Sequence, residues 1–585
     1  MRDISISSSN LMPRNFPALA LSILIIAAQF GSLFASHRYP QTVFYNEFAG
    51  AVALMALVGA LSLVGKVQWR VSLWALVLIG VVLASGLWQA MAAGGSVSAS
   101  QGLICYVMLV LCGLIAIQAV AQIQGTAQVA SLCAWGILVV ACLQCVVSAL
   151  QLKGVSSPGW IMVKLMNAAY GNIAQENHFA NLLWLGLVSL LYLWLKHSFP
   201  SSLALIVCAV LCMFSALSVS RAVWLYTGAL PLVAVIYAKR MVLAEKRRVW
   251  IGVGIQLLLS VLSQLWLAFG GAQAALGVTS AIDRVSEGGS NGQRMFDWMI
   301  AAKTMLAHPL TGVGPGMFPW QTALGTIGLA PVNYVRIGEN AHNTVLHFAA
   351  EFGLLFIVVV LSLIAAWLWR RWKEAPTLES LWGLGVIAVL GAHSMVEYPL
   401  WYAYFLVPLA CAIGVIDAGD ERLPTLRFNA RWLLIPVLLG VLVLGSTWKD
   451  YRRLEAAYKI LNEGPGAKSD AWAELDAVGA SISQTSLMAP QAAILRLRAW
   501  RTNDLQRVPE IVQVCDESLK IKPQYNSLLA CVAAYTLSGR KAEADQINEI
   551  VCGAFAPVHS RPFIEYAQKL YAPRGWNLPP QGRCL

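Results

Sequence analysis

The chain has 585 residues, of which 58% are hydrophobic and only 12% are charged, and its mean hydropathy is +0.64. A water-soluble chain of this composition would aggregate, so we predict an integral membrane protein. The net charge of +12 lies largely in short connections between apolar segments. No basic array with interleaved aromatic residues indicates nucleic-acid binding, and no Gly-rich loop precedes a Lys-Ser or Lys-Thr pair as in ATP-hydrolysing motors.

Apolar segments follow one another along most of the chain. A helix needs about 20 residues to cross about 30 Å of hydrocarbon, and its backbone groups must be satisfied within the segment. We therefore predict an all-α, polytopic membrane helix bundle with about 12–13 spans, followed by a helical tail. The predicted spans are 16–35, 48–65, 71–93, 102–122, 129–150, 179–195, 201–217, 222–238, 249–269, 344–369, 379–395, 400–416 and 432–447.

Basic residues concentrate in the even-numbered connections between these spans. Lys66 and Arg70 flank the second connection, and Arg370 and Arg371 lie in the tenth. The positive-inside rule makes these connections cytoplasmic, together with the N-terminus. Thirteen spans then place the loop 271–343 and the tail outside. We predict two domains, a membrane domain over 1–448 and an external helical domain over 449–585.

The odd-numbered connections contain the polar residues that suggest a catalytic or binding site. A protein that only crosses the membrane does not need this asymmetry, whereas an enzyme working at one membrane face does. These residues, together with two tyrosines that follow Glu397, are Glu47, Gln175, Asn177, His178, Arg221, Arg294, His342, Glu397, Tyr398 and Tyr402.

The external connection 271–343 is long enough to be functional or disordered. An amphipathic stretch begins near Arg294 and runs through Leu306, and a breaker-rich turn follows at 308–316. His342 then stands beside Glu339 and two amides at the start of the next span. A histidine in this position can accept a proton near neutral pH, although a single loop histidine is also an ordinary surface residue.

The tail is polar, rich in Ala and typical of helices. Its segment 518–544 has the rhythm of a tetratricopeptide unit, which predicts either a docking surface for a protein or a cap on the membrane domain. Cys515 and Cys531 are equally spaced from the turn at Pro523, which predicts a disulfide and leaves Cys552 to pair with Cys584. Four buried thiols are the alternative.

Several segments resemble a known family. The stretch 294–353, with His-Pro-Leu-Thr-Gly-Val-Gly and Ala-His-Asn-Thr, resembles the O-antigen ligase and polymerase superfamily. The segments 40–47, 171–180 and 393–402 resemble the PglL-type bacterial protein O-oligosaccharyltransferases within it. From this resemblance we would expect proline in many relatives at the position of Glu176.

This resemblance implies a reaction and a location. A glycan carried on undecaprenyl pyrophosphate is transferred to a Ser or Thr hydroxyl of a pilin or another exported protein. The donor is already activated, so neither a cofactor nor a metal is expected. The resemblance implies a multi-pass protein of the bacterial inner membrane, in contact with its lipids, with a cytoplasmic N-terminus and a periplasmic C-terminal domain.

Roles can be matched to the predicted site residues. His342 is the candidate base, or the group that orients the acceptor hydroxyl. Arg221 and Arg294, with Arg284 as a weaker third, are candidates to bind pyrophosphate, because a guanidinium group matches two phosphate oxygens. Arg221 at the outer boundary is alternatively a residue that snorkels to the interface.

The remaining candidates also have alternative interpretations. Gln175 and Asn177 are candidates to bind sugar hydroxyls or phosphate, and Asn177 and His178 alternatively cap the next helix. Glu47 is predicted to orient a cation or a sugar. The substrate surface would also include Glu397 and two tyrosines that are alternatively interfacial aromatics, Tyr398 and Tyr402.

Two other functions compete with protein glycosylation. A member of the superfamily could instead ligate O-antigen to lipid A-core or polymerise its repeat units. A lipid or glycan transporter would place paired charges or broken helices near mid-bilayer, often in repeated halves. Here the polar residues collect at one side and no repeat is evident, which favours an enzyme.

Overall fold

The fold comes from a computed structural model, which describes residues 16–36, 40–63, 68–92, 96–165, 167–269, 291–329, 337–420, 422, 424–463 and 469–578. These residues form 22 α-helices and very little sheet, which confirms the predicted all-α class. Seven helices are long and apolar enough to cross a membrane, and most of the other apolar segments form shorter helices.

The first fifteen helices cover the predicted membrane domain and its long loop. In chain order they are α1 Phe16–Ala28, α2 Phe44–Leu63, α3 Leu73–Ala92, α4 Val97–Gln124, α5 Thr126–Leu152, α6 Glu176–Leu195, α7 Ser201–Leu217, α8 Val223–Ala238, α9 Leu243–Phe269, α10 Asn291–Ala307, α11 Phe318–Gly325, α12 Thr344–Phe352, α13 Leu354–Trp372, α14 Leu378–Ser394 and α15 Ala403–Ala418.

Helix α6 lies at the centre of this bundle. It packs against α5, α7 and α14, and nearly all of its side chains are buried inside the protein. Large side chains such as Phe179 and Trp184 are fully buried on it. A helix that is apolar all round suits such a position, because no face has to meet solvent or lipid. The first turn of α6 is therefore held firmly in place.

One predicted span is interrupted. The predicted helix 344–369 consists of α12 and α13, which are separated by Gly353 with φ +90°. A Cβ atom at Gly353 would lie 2.8 Å from the carbonyl carbon of Leu310, in the breaker-rich turn. The turn packs on this break, and only glycine fits there. The apolar pattern could not show this close approach.

Two short strands join connections from opposite ends of the membrane domain. Strand β1, Gln68–Ser72, pairs antiparallel with β2, Thr425–Asn429. The patterns of the sequence did not predict these strands. They belong to the second and twelfth connections, which the charge analysis placed on the same side of the membrane.

The tail continues directly from the last apolar helix. Helix α16, Leu434–Glu463, runs through the predicted domain boundary at 448/449, and the division into two domains stays a prediction. Six further helices pack in succession. They are α17 Ser469–Ala480, α18 Ala489–Ala499, α19 Val508–Ser518, α20 Tyr525–Leu537, α21 Lys541–Ala554 and α22 Pro557–Tyr571.

The described part of the tail contains the first predicted disulfide and packs on the long loop. Cys515 and Cys531 are bridged, with their Cα atoms 5.7 Å apart, which confirms the prediction. Cys584 lies outside the described residues, so its pairing with Cys552 stays a prediction. Ala323 of α11 is buried in the apolar core of the tail. The tail and the loop therefore share one core.

Candidate active site

Glu397 is the centre of the polar cluster that the structure assembles. Its Oε2 lies 2.9 Å from His342 Nδ1, and its Oε1 accepts hydrogen bonds from Arg294 Nη2 at 2.7 Å and from Asn177 Nδ2 at 2.6 Å. Three residues from other parts of the chain thus contact the carboxylate of Glu397. Of the four residues in this cluster, three are predicted substrate-binding residues and His342 is the predicted base.

The cluster is buried at its base and open at its rim. Only 2% of the Glu397 side chain is exposed, whereas 30% of the His342 side chain and 25% of the Arg294 side chain are exposed. His342 and Arg294 can therefore face a substrate, while both are held by the buried carboxylate of Glu397. This arrangement fixes their orientation before any substrate arrives.

The start of α6 positions Asn177. The side chain of Gln175 caps this helix by accepting a hydrogen bond from His178 N at 2.6 Å, so the capping role expected for Asn177 and His178 belongs to Gln175. The Asn177 amide turns to the cluster instead. Its Oδ1 accepts a hydrogen bond of 2.6 Å from Ser220 Oγ.

His342 stands in a strained position before α12. Its φ of +49° lies in the left-handed region, which a residue other than glycine adopts at a cost. The next residue, Asn343, caps α12 and also donates a hydrogen bond of 3.2 Å to the Met395 carbonyl. Strain that is held in place by such contacts is characteristic of functional sites. His342 is thereby fixed over Glu397.

Glu397 is ionised over the whole physiological range. Burial acts to raise its pKa, but the hydrogen bond to His342 and the electrostatic interactions with His342, His393 and His178 lower the pKa to about 2. At Tyr398 the net shift is upward: burial raises the pKa to about 12, and the negative charge of Glu397 contributes. Tyr398 therefore keeps its proton and can donate a hydrogen bond.

Tyr398 and Tyr402 line the cluster on one side. The Tyr398 ring centroid lies 5.2 Å from that of His342, and the Tyr402 ring stacks on Tyr398 at 5.9 Å. Arg221 directly follows Ser220, the hydrogen-bond donor to Asn177. Arg284 lies outside the described residues.

Two predicted site residues, His178 and Glu47, lie beside the cluster, where the His178 ring packs 4.6 Å from that of Tyr402, but their hydrogen bonds are to other residues than Glu397. His178 is 1% exposed and its Nδ1 is 2.9 Å from the Tyr404 hydroxyl, so it is a core residue rather than part of the open rim. Glu47 Oε2 accepts hydrogen bonds from Ala403 N at 2.6 Å and from the Tyr106 hydroxyl at 3.0 Å. Glu47 therefore anchors the start of α15 and shares no hydrogen bond with Glu397.

The sequence patterns missed two residues of the site. Ser220 orients Asn177, and its position beside Arg221 in a tight turn was the only available signal. Asp297 lies one turn after Arg294 on α10, is fully buried, and accepts a hydrogen bond from Gln293 Nε2 at 2.9 Å. Burial raises the pKa of Asp297 to about 7. Its apolar surroundings come from the long loop, whose fold no local pattern predicts.

Three family profiles match segments of the chain. A profile described as "O-Antigen ligase" matches residues 204–361, one described as "Protein glycosylation ligase" matches 169–194, and one described as "Virulence factor membrane-bound polymerase, C-terminal" matches 381–562. The first contains Arg221, Arg294 and His342, the second contains Asn177, and the third contains Glu397. Each of the three matched segments thus contributes at least one residue to the cluster.

Two proteins of Acinetobacter baylyi are similar to this chain. One is named "General O-oligosaccharyltransferase" and is 26% identical over 349 residues, which cover 57% of this chain and 58% of that protein. The other is named "ComP-specific O-oligosaccharyltransferase" and is 23% identical over 283 residues, 47% of this chain and 48% of that protein. The chain thus spans about half the length of these relatives. Together the matches confirm the resemblance to PglL-type protein O-oligosaccharyltransferases and to a multi-pass membrane family.

Proposed function

We propose that this relative of the PglL-type proteins is a protein O-oligosaccharyltransferase. It transfers a glycan from undecaprenyl pyrophosphate to a Ser or Thr hydroxyl of a pilin or another exported protein. The observation that carries the proposal is the meeting of His342 and Arg294 on one buried carboxylate, Glu397. This arrangement offers a base and a cation side by side at the rim of a membrane protein, as the transfer requires.

Glu397 determines which nitrogen of His342 acts as the base. Because Glu397 is a carboxylate, it can only accept a hydrogen bond, so His342 must carry its proton on Nδ1. The lone pair then lies on Nε2, on the side of the ring that faces away from Glu397. An acceptor hydroxyl that donates a hydrogen bond to Nε2 becomes the nucleophile, and general-base help of this kind contributes about 10²–10⁴-fold to a rate.

Arg294 acts on the leaving group. Its Nη2 is bound to Glu397, and the planar guanidinium presents further N–H groups that match phosphate oxygens. As the acceptor oxygen bonds to the anomeric carbon, the bond from that carbon to the pyrophosphate oxygen breaks. The hydroxyl proton passes to His342 Nε2, and the negative charge that develops on the pyrophosphate is stabilised by Arg294. The proposed partner in this role is Arg221.

The proposal places this chemistry at the periplasmic face of the bacterial inner membrane. The parity of the basic connections supports this orientation. The Cys515–Cys531 disulfide also supports it, because structural disulfides persist in oxidising compartments. The N-terminus is then cytoplasmic and the tail periplasmic, on the same side as the loop that it contacts.

A polymerase or ligase of glycans is the second candidate. It is favoured by the match of residues 381–562 to the C-terminal part of a membrane-bound polymerase. The same cluster would then activate a sugar hydroxyl in place of a Ser or Thr hydroxyl. The two functions differ in the acceptor and not in the attacking chemistry.

The test is co-expression of the full-length chain with a lipid-linked glycan pathway and candidate pilins, followed by intact-mass measurement of each pilin. We expect one pilin to gain the mass of a complete glycan. Pilins of unchanged mass, together with longer glycan chains or glycan on lipid A-core, would reject protein transfer and support the second candidate.

A further inference from the structure

Two neighbouring cavities lie between the tail and the membrane helices. The inner cavity, of about 310 Å³, is walled by α2, α4 and α16 and is roofed by the segment before α18. The outer cavity, of about 480 Å³, is walled mainly by α18 and the end of α19. Ser98, Pro490 and Ile521 border both cavities, so the two are adjacent, and we call them together the tail groove.

A carboxyl oxygen without a partner stands at the inner end of the tail groove. Glu47 uses Oε2 for its hydrogen bonds to Ala403 and Tyr106, whereas its Oε1 is buried and has no hydrogen-bond partner among the described residues. Buried acceptors are nearly always satisfied in native proteins. Glu47 Oε1 is therefore open to a hydrogen bond from a molecule in the groove.

The tail groove ends next to the proposed active site. Ala403 lines the inner cavity and directly follows Tyr402, which stacks on Tyr398 beside His342. At the rim, Lys522 lines the same cavity, and its Nζ lies 3.1 Å from Glu339, three residues before His342. A molecule in the groove would therefore lie next to segments that adjoin His342.

The lining of the groove differs between its two ends. The inner cavity has a mostly apolar wall, with Phe44, Phe48 and Leu109 among its residues. The outer cavity is bordered by charged side chains of both signs, including Arg496, Asp516 and Glu517. A lipid chain would suit only the inner part. A polypeptide suits both, because it combines apolar and polar side chains with backbone N–H donors.

We propose that the tail groove binds an extended segment of the acceptor polypeptide, with Glu47 Oε1 accepting a hydrogen bond from an N–H or hydroxyl of that segment. This inference rests on the proposed function and names its acceptor site. It also gives the tail a role, since α18 and α19 form most of the outer wall. The glycan donor would approach His342 from the side of Arg294 and Asn177.

Gly102 allows the groove to be blocked without disturbing the helix. It lines the inner cavity on α4, and a Cβ atom built there meets no heavy atom within 4 Å. Gly254 on α9 is also open to a Cβ atom and lies outside the groove, so it is the matched control. We expect Gly102→Leu to lower glycan transfer to a pilin at least tenfold at equal membrane levels, and Gly254→Leu to leave it unchanged. Equal transfer by both variants would reject the proposal.

Photo-crosslinking tests occupancy directly. A benzoylphenylalanine at position 521, in the groove, is compared with one at position 558 of α22, which lines neither cavity and where Val558 is 72% exposed. The full-length chain is co-expressed with an epitope-tagged pilin. We expect a pilin adduct from position 521 alone, and expect Gly102→Leu to remove it.

The outcomes separate this inference from the proposed function, because pilin mass is measured in the same cells. A glycosylated pilin without a crosslink, or a crosslink to lipid alone, rejects the groove while the function stands. A crosslinked pilin that never gains glycan supports the groove and rejects the function. Neither adduct nor glycan rejects both.

Discussion

His342 Nδ1 and Glu397 Oε2 lie 2.9 Å apart, although three helices, α12, α13 and α14, separate them in the chain. The pair leaves His342 with one defined tautomer and one exposed nitrogen. Glu397 also binds Arg294, so a single buried carboxylate positions both the proposed base and the proposed phosphate ligand. Four predictions follow from this geometry and from the topology around it.

Replacement of His342 should abolish catalysis without preventing membrane insertion. We expect His342→Ala to lower glycan transfer to a pilin by about 10²–10⁴-fold, the usual contribution of a general base. His308→Ala is the control, because His308 is an exposed histidine of the same loop. Intact-mass measurement of pilin at matched expression decides. Transfer by His342→Ala within a few fold of the unsubstituted chain would remove His342 from the mechanism.

The two arginines should not tolerate lysine. A lysine at position 294 keeps the charge but cannot bind Glu397 and two phosphate oxygens at once. We expect Arg294→Lys and Arg221→Lys to lower transfer at least tenfold. Arg248→Lys is the control, because Arg248 belongs to the eighth connection, which the positive-inside rule predicts to be cytoplasmic. Normal transfer by both variants would show that charge alone is sufficient.

Asp297 should make stability depend on pH. Its pKa is raised from an ordinary value of 3.8 to about 7, because burial disfavours the charged form and Oδ2 has no hydrogen-bond partner among the described residues. Folding therefore loses stability as pH rises from about 4, and the loss is complete above about 7. We expect Asp297→Asn to melt at a higher temperature than the unsubstituted chain at pH 8 in detergent.

The same comparison at low pH is the internal control. At pH 5 the buried carboxyl is largely neutral, so most of the difference between the two melting temperatures should disappear. A difference that is equal at both pH values would mean that the substitution acts through packing and not through the charge.

Cysteine labelling tests the topology. Leu310 in the loop and Val558 in the tail are both 72% exposed, and Leu243 in the eighth connection is 80% exposed. A membrane-impermeant thiol reagent should label cysteines placed at 310 and 558 in intact spheroplasts, and a cysteine at 243 only after lysis. The unsubstituted chain gives the background from its twelve cysteines. The reverse pattern would place the cluster in the cytoplasm.

The sequence predicted much of the fold and many of the residues of the site, but not their partners. Composition predicted the apolar helices, and charge parity predicted that His342, Arg294, Asn177 and Glu397 lie on one side of the membrane. They could not show which carboxylate serves His342. Glu339 is its neighbour in sequence, yet Glu339 binds Lys522 of the tail, because pairing depends on how distant segments meet.

Burial was equally out of reach of local patterns. His178 stands in a polar run that suggested an open surface, but the first turn of α6 turns it into the core toward Tyr404. Gly353 is an ordinary residue in an apolar run, and only the packing of the 308–316 turn shows why the helix stops there. Close approach between elements is a property of the folded chain, and no window of sequence contains it.

The pairing of β1 with β2 has a consequence for biogenesis. Residues 68–72 leave the ribosome before residues 425–429, which follow only after helices α3 to α15 have been made. The ladder therefore cannot close until these helices have been made. Once formed, the pairing of β1 with β2 joins the segment before α3 to the segment after α15 by backbone hydrogen bonds. A chain truncated before residue 425 would lack this pairing even if all its earlier helices had entered the bilayer.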